Sequence, residues 1–405
     1  MIHFLKSTIF KLLLAVLIGI LLGFVVGEGF MNVVVTVKYI LGQLIFFMVP
    51  LIILGFVSSS IAKMKGNASS MLGSALGLAY LSSVGAAFLA MFLGYWLIPQ
   101  LSIEPATEGL KEIPPLVFRL DIPPVMSVMT ALVLSVMLGL ATVWTKSRLF
   151  GTLLEHFQKM VLLLITRILI PILPFFIAAN FCALSYEGAI TRQLPIFIGV
   201  MGIVLVAHFI WLTFLYLTAG VFSRKNPWLV LKYYGPAYLT AVGTMSSAAT
   251  LAVALRCARK SPVLKDEVVD FAIPLFSNVH LCGSILTEVF FVMTVSLLLY
   301  GTLPTMSVMV LFILLLGIFA IGAPGVPGGT VIASLGIVIS IVGFNEAGTA
   351  LLLTIFALQD SFGTACNITG DGALTLMLTK IESKLESPTQ KKETWLANFF
   401  CLIID

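Results

Sequence analysis

Charge is what this sequence has least of. Only 10% of its residues are Asp, Glu, Lys or Arg, against about 25% in an ordinary soluble domain. A chain this poor in charge cannot cover a water-facing surface, which excludes a soluble globular protein. The formal net charge of +5 over 405 residues is too dilute for nucleic-acid binding, which needs a concentrated basic patch. Cysteine is scarce too: Cys182, Cys257, Cys282, Cys366 and Cys401 are odd in number, scattered and mostly inside apolar runs. That pattern is neither a disulfide framework nor a zinc spacing. Enzyme signatures are missing as well, with no His-Glu-x-x-His, no Gly-x-Ser-x-Gly and no phosphate loop. The pair Ser246–Ser247 is the one candidate nucleophile, and no base stands at an obvious place beside it. The sequence therefore reads as a non-enzyme.

What the chain does have is apolar length: 60% of it is hydrophobic. Several runs exceed the roughly 20 residues that cross a bilayer as a helix. They are continuous rather than alternating, so the expected class is all-α integral membrane and not a β-barrel. Lys6 and Lys11 ahead of Leu12–Val26 resemble a signal peptide, but more spans follow and no small-residue cleavage site does; an uncleaved first helix is expected. Helices are expected over 8–28, 33–62, 71–98, 125–145, 153–185 and 194–222, with a polar loop at 99–124. Pro171 and Pro174 should kink the fifth. With the N-terminus inside, the basic clusters fall inside and the acidic loop outside, as the positive-inside rule requires.

The second half is broken. Residues 233–258 are only moderately apolar and carry Gly235, Pro236, Gly243 and the Ser-rich run 244–250, with basic residues following at once. Both ends look cytoplasmic, so a re-entrant hairpin is expected. A seventh helix, 267–300, is interrupted at 277–284; a second hairpin, 304–343, is split at 322–330, where two prolines stand among four glycines. An eighth helix, 346–381, returns to the cytoplasm before a polar tail. Irregular backbone at membrane depth survives only in protein or along a cavity. Interrupted segments in matching positions of inverted repeats point to a transporter binding site.

That eighth helix holds the sharpest signal. Within Phe356–Asp371 it carries Asp360, Asn367 and Asp371 in otherwise apolar surroundings. At about 100° per residue, offsets of seven and eleven return to within roughly 20° of the starting direction. The three therefore form one polar stripe, with Thr364 beside it. A carboxylate at bilayer depth costs ~2.5–3.5 kcal/mol, so a buried cavity supplying cations or donors is expected. A purely structural seam is the plain alternative, at a high cost for bare Asp.

These residues resemble the dicarboxylate/amino acid:cation symporter family, which includes the excitatory amino acid transporters and bacterial serine/threonine symporters. The likeness is most specific over 244–251, 274–284, 322–330 and 359–371. It implies eight transmembrane helices, two re-entrant hairpins and inverted repeats in a homotrimeric, elevator-type carrier of the plasma (bacterial inner) membrane. The scaffold would comprise 1–70 and 99–192, the mobile transport domain 71–98 and 193–384, and the cytoplasmic tail 385–405. Substrate-binding positions carried over are Ser246, Ser247, Val326, Pro327, Gly328, Asp360 for the amino group, Gly363, Thr364, and Asn367 for the carboxylate. Sodium positions are Asp371, Asn367, Asn278, His280, Ser82 and Ser83, with sodium as coupling ion and no other cofactor. Glu288 falls at the family's proton-carrier position, and His280 is a second proton-coupling candidate.

Two departures refine the expectation. Acidic-substrate members carry an arginine where this chain has Gly363, or alternatively at Met245. Its absence would leave an acidic side chain buried without a partner. The resemblance therefore implies a small neutral substrate, such as serine, threonine or alanine, over the alternative of a C4-dicarboxylate or acidic amino acid. In helix seven the family's Asn-Met-Asp-Gly-Thr aligns with His280-Leu281-Cys282-Gly283-Ser284, so a sodium-site aspartate is replaced by Cys282. His208 and His156 read as packing or interface residues.

Overall fold

The computed structural model describes residues 8–63, 70–101, 111–188, 190–323, 325 and 327–404. Among them there is no strand. The helices are α1 (Thr8–Val25), α2 (Glu28–Lys63), α3 (Ser70–Leu97), α4 (Val128–Thr145), α5 (Arg148–Tyr186), α6 (Ile190–Ser223), α7 (Gly235–Thr244) and α8 (Ser247–Ala258). They continue with α9 (Asp266–Val279), α10 (Cys282–Tyr300), α11 (Met306–Gly322), α12 (Gly329–Ile337) and α13 (Glu346–Ile404). Among the described residues, six stretches are long and apolar enough to cross a membrane, and Phe10–Val25 and Val133–Thr145 are shorter apolar helices.

Local chemistry explains the boundaries. Ser127 caps α4 by accepting from the Thr130 amide, and Ser147 caps α5 by accepting from that of Phe150. α5 therefore starts at Arg148 rather than the expected 153. Its irregularity is a π-turn over Ile165–Leu169, just ahead of Pro171. Pro171 has no N–H for the carbonyl one turn back, and the wider turn accommodates the gap without ending the helix. The break expected across 277–284 shrinks to His280 and Leu281. The expected polar tail continues α13 as helix to Ile404.

Packing forms two groups. α1 and α2 pack on α5, and α2 also packs on α4. The second group gathers around α10 and α13, which pack on each other and contact α3, α6, α7 and α9 between them. Burial marks these two as the centre. In the most apolar 18-residue windows of the stretches containing α10 and α13, 94% and 89% of residues are buried, against 33–50% in the corresponding windows of the other four spans. A smaller cluster of Leu12, Ala15, Ile177, Phe181, Met245 and Ala357 lies where the two groups meet. Outside the spans, Arg119 pairs with Asp121 at 2.9 Å, and Tyr39 of α2 donates to the same carboxylate. These two donors hold Asp121 below the usual carboxylate range and tie the 111–127 segment to α2.

Candidate functional site

α13 carries the polar stripe through the centre of the second group. Asp360, Thr364, Asn367 and Asp371 are all buried there. Asp360, Asn367 and Asp371 each meet a point where another chain segment is interrupted.

At Asp360 the interruption is the turn between α11 and α12. The Gly328 amide donates to Asp360 Oδ2 at 2.7 Å. Gly328 precedes α12 with φ of 71°, a left-handed conformation that favours glycine. Asp360 thus satisfies a backbone donor at a helix N-terminus that has no side-chain cap of its own. Thr364 bonds the same carboxylate. The two hairpin tips also meet: Ser246 Oγ donates to the Gly325 carbonyl at 2.7 Å while accepting from the Ala249 amide at 3.3 Å. Ser247 is buried in the first turn of α8. Pro327 is half-buried, and Val326 lies outside the described residues.

Asn367 meets the start of α10. Its Oδ1 accepts from the amides of Gly283 at 2.7 Å and Ser284 at 3.2 Å, and its Nδ2 donates to Ser284 Oγ at 2.9 Å. Leu281, before α10, supplies no cap, so Asn367 provides it from a neighbouring helix. One amide hydrogen is left for a ligand. Gly363 lies at the same contact. A Cβ there would come within 3.2 Å of Ser284 Cα, and one on Gly283 within 2.5 Å of the Gly363 carbonyl oxygen. Position 363 is thus a close approach of two helices rather than open pocket wall.

Asp371 lies at the break between α9 and α10. His280 Nδ1 is 2.9 Å from Asp371 Oδ1, and its Nε2 is 2.9 Å from Ser82 Oγ on α3. Facing a carboxylate, Nδ1 carries the proton and donates. Ser277 Oγ donates to Asp371 Oδ2 at 3.3 Å. Ser83 is buried beside Ser82, its hydroxyl without a partner. Asn278 does not join this cluster: it is exposed, and its amide donates to the Pro274 carbonyl at 2.8 Å. A helix turn places it about 160° away from His280 on the approach to the break.

Glu288 stands apart, on α10 and fully buried. It accepts from Ser334 of α12, and its Oε2 has no partner. His208 does more than pack. Its Nε2 lies 3.0 Å from the Gly283 carbonyl and 2.9 Å from Thr287 Oγ1, behind the turn whose amides Asn367 caps. Sequence reasoning missed Ser277 and Ser334 as partners of the two acids. Ser277 was legible as the first residue of the interrupted run; Ser334 had no local signal.

Comparison with known proteins fits this arrangement. The family model described as the sodium:dicarboxylate symporter family matches residues 8–381. The chain belongs to that family. Relatives include excitatory amino acid transporter 3 of Bos taurus, 28% identical over 280 residues, which are 67% of this chain and 51% of the relative. Its human counterpart is 30% identical over 184 residues, 44% of this chain and 34% of that protein. Excitatory amino acid transporter 1 of Ambystoma tigrinum is 27% identical over 228 residues, 55% of this chain and 40% of its own. The chain thus spans about half or less of these curated relatives. As a member of a transporter family it is a multi-pass protein of the plasma membrane and not an enzyme.

Proposed function

We propose that this symporter-family member carries a small neutral amino acid, of the serine, threonine or alanine class, into the cell with sodium. The observation that supports this is the donor set of the α13 stripe. Asp360 offers a carboxylate for an ammonium group, and seven residues on Asn367 keeps one amide hydrogen for a carboxylate. Among the described residues, no arginine or lysine hydrogen-bonds or ion-pairs with Asp360, Asn367 or Asp371. A second carboxylate on the substrate would lie buried without a cation, at a cost of several kcal/mol. The second reading, a C4-dicarboxylate or acidic amino acid, is favoured by the family's description and the relatives' names. Competition in proteoliposomes separates them: serine or alanine should block uptake of labelled alanine, and succinate and aspartate should not. Displacement by either acid overturns the neutral-substrate reading.

The same reading makes the second packing group the mobile unit of an elevator, working in a homotrimer. Hairpin tips joined by Ser246 and Gly325 then form the closed gate. Glu288, buried with one oxygen unpartnered, is the proton-coupling candidate, because an ionisable group at membrane depth is functional by default.

A further inference from the structure

Sodium is a hard cation, and such ions are held by several oxygens at short range. Around Asp371 an imidazole stands where such oxygens would have to converge. Asp371 Oδ1 already receives the His280 Nδ1 proton at 2.9 Å, and Oδ2 receives the Ser277 hydroxyl at 3.3 Å. Ser82, on the far side, donates its proton to Nε2 at 2.9 Å, so the imidazole stands between that oxygen and Asp371. The imidazole is boxed in. A Cβ added at Gly370 would lie 2.8 Å from its Cε1, and the Phe276 ring stands edge-on to it at 6.3 Å between centroids. The remaining nearby donor is the fully buried thiol of Cys282, which lies against His280 and Cys366. Sulfur is a soft ligand and suits sodium poorly. Among the described residues, the Ser83 hydroxyl beside Ser82 is a buried oxygen without a partner.

We propose that the Ser82–His280–Asp371 relay is a built-in replacement for a bound cation. The imidazole bridges α3 and α13, neutralises the demand of the buried carboxylate for a donor, and keeps sodium out of this pocket. Any sodium that travels with the substrate then binds elsewhere. The inference rests on the sodium-coupled reading for its consequence, but the exclusion itself concerns side chains and can be tested with sodium alone.

The test is equilibrium binding of radiolabelled sodium to the full-length protein in detergent, with choline holding the ionic strength. Melting temperature is read in parallel, since a ligand bound only by the native state raises it. The double substitution His280→Asn and Cys282→Asp exchanges an imidazole and a thiol for oxygen donors. It should bind one more sodium per protomer than the wild type and gain a sodium-dependent rise in melting temperature. Ser82→Ala, a milder change, should leave the wild-type sodium count unaltered. An equal count in wild type and double variant overturns the proposal, as does loss of one sodium in Ser82→Ala. If the wild type binds none while the double variant binds one, the exclusion stands and sodium coupling of the wild type falls.

Discussion

Asp360 holds Gly328 through one oxygen and is placed to hold an ammonium group as well. Asp360→Asn keeps the shape and removes the charge. A hydrogen bond to a charged group contributes about 1.5–3 kcal/mol, so binding of a neutral amino acid should weaken roughly tenfold to a hundredfold while the protein elutes unchanged from size exclusion. Near-wild-type affinity in isothermal titration would sink the amino-acid assignment. Glu288 makes the other residue-scale prediction. Its amide variant mimics a permanently protonated carrier, so Glu288→Gln should preserve substrate exchange and lose any acceleration of net uptake by an inward proton gradient. Uptake in the wild type that ignores the proton gradient would make Glu288 structural. The Asp121 contact cannot produce such a pH effect. Its carboxyl is held below the ordinary carboxylate value by Tyr39 and Arg119. The tether is therefore complete above about pH 4 and is lost only as pH falls through that lowered value, so it is constant across the range in which uptake is measured.

Two helix-scale contacts set the site. Gly283→Ala would place a Cβ 2.4 Å from Cys366 Cβ and 2.5 Å from the Gly363 carbonyl oxygen, and both helices are buried. Overpacking of this kind costs about 1–3 kcal/mol, so the melting temperature should fall by several degrees and Asn367 should lose its grip on the first turn of α10. At Gly328 the limit is conformation, because the nearest neighbour of an added Cβ is an ordinary contact at 3.5 Å. Gly328→Ala pays for left-handed backbone, roughly 1–2 kcal/mol, and should lower the uptake rate more than it lowers stability; equal loss of both in uptake and melting assays would place the tip outside the gate. These elements differ in how legible they were. The stripe of Asp360, Asn367 and Asp371 follows from helical period alone, and the hairpin tips follow from glycine and proline. What the sequence could not display is partnership across helices. Asn367 as a cap for α10, Ser334 on Glu288 and the bridge from Ser82 to Asp371 join residues 83, 46 and up to 289 positions apart. The π-turn was hidden for a different reason, since Pro171 signals a disturbance without saying how the backbone absorbs it.

At the scale of the molecule, the two packing groups meet in several places, one of them a small apolar seam. Met245 from the α7–α8 turn sits with Ile177 and Phe181 of α5 and Leu12 of α1. If the second group slides as a unit, Met245 must leave that seam in each cycle. With the native cysteines replaced by alanine, a short bifunctional thiol reagent joining Ile177→Cys to Met245→Cys should stop transport and leave substrate binding intact. Transport that persists in the fully cross-linked protein rules out sliding at this seam.

The glycine contact between α10 and α13 also bears on how such a protein could change its diet. An arginine at 363 would have to grow from a point 3.2 Å from the backbone of Ser284. The first turn of α10 must give by a few tenths of an ångström to admit the Cβ of that side chain. Acid selectivity through position 363 is therefore expected to need a compensating change in that turn. Selection for growth on aspartate from a library randomised at 363 alone should return no winners, whereas libraries that also vary residues 280–284 should. A change in the first turn of α10 ahead of the arginine is the order that the spacing of the two backbones favours.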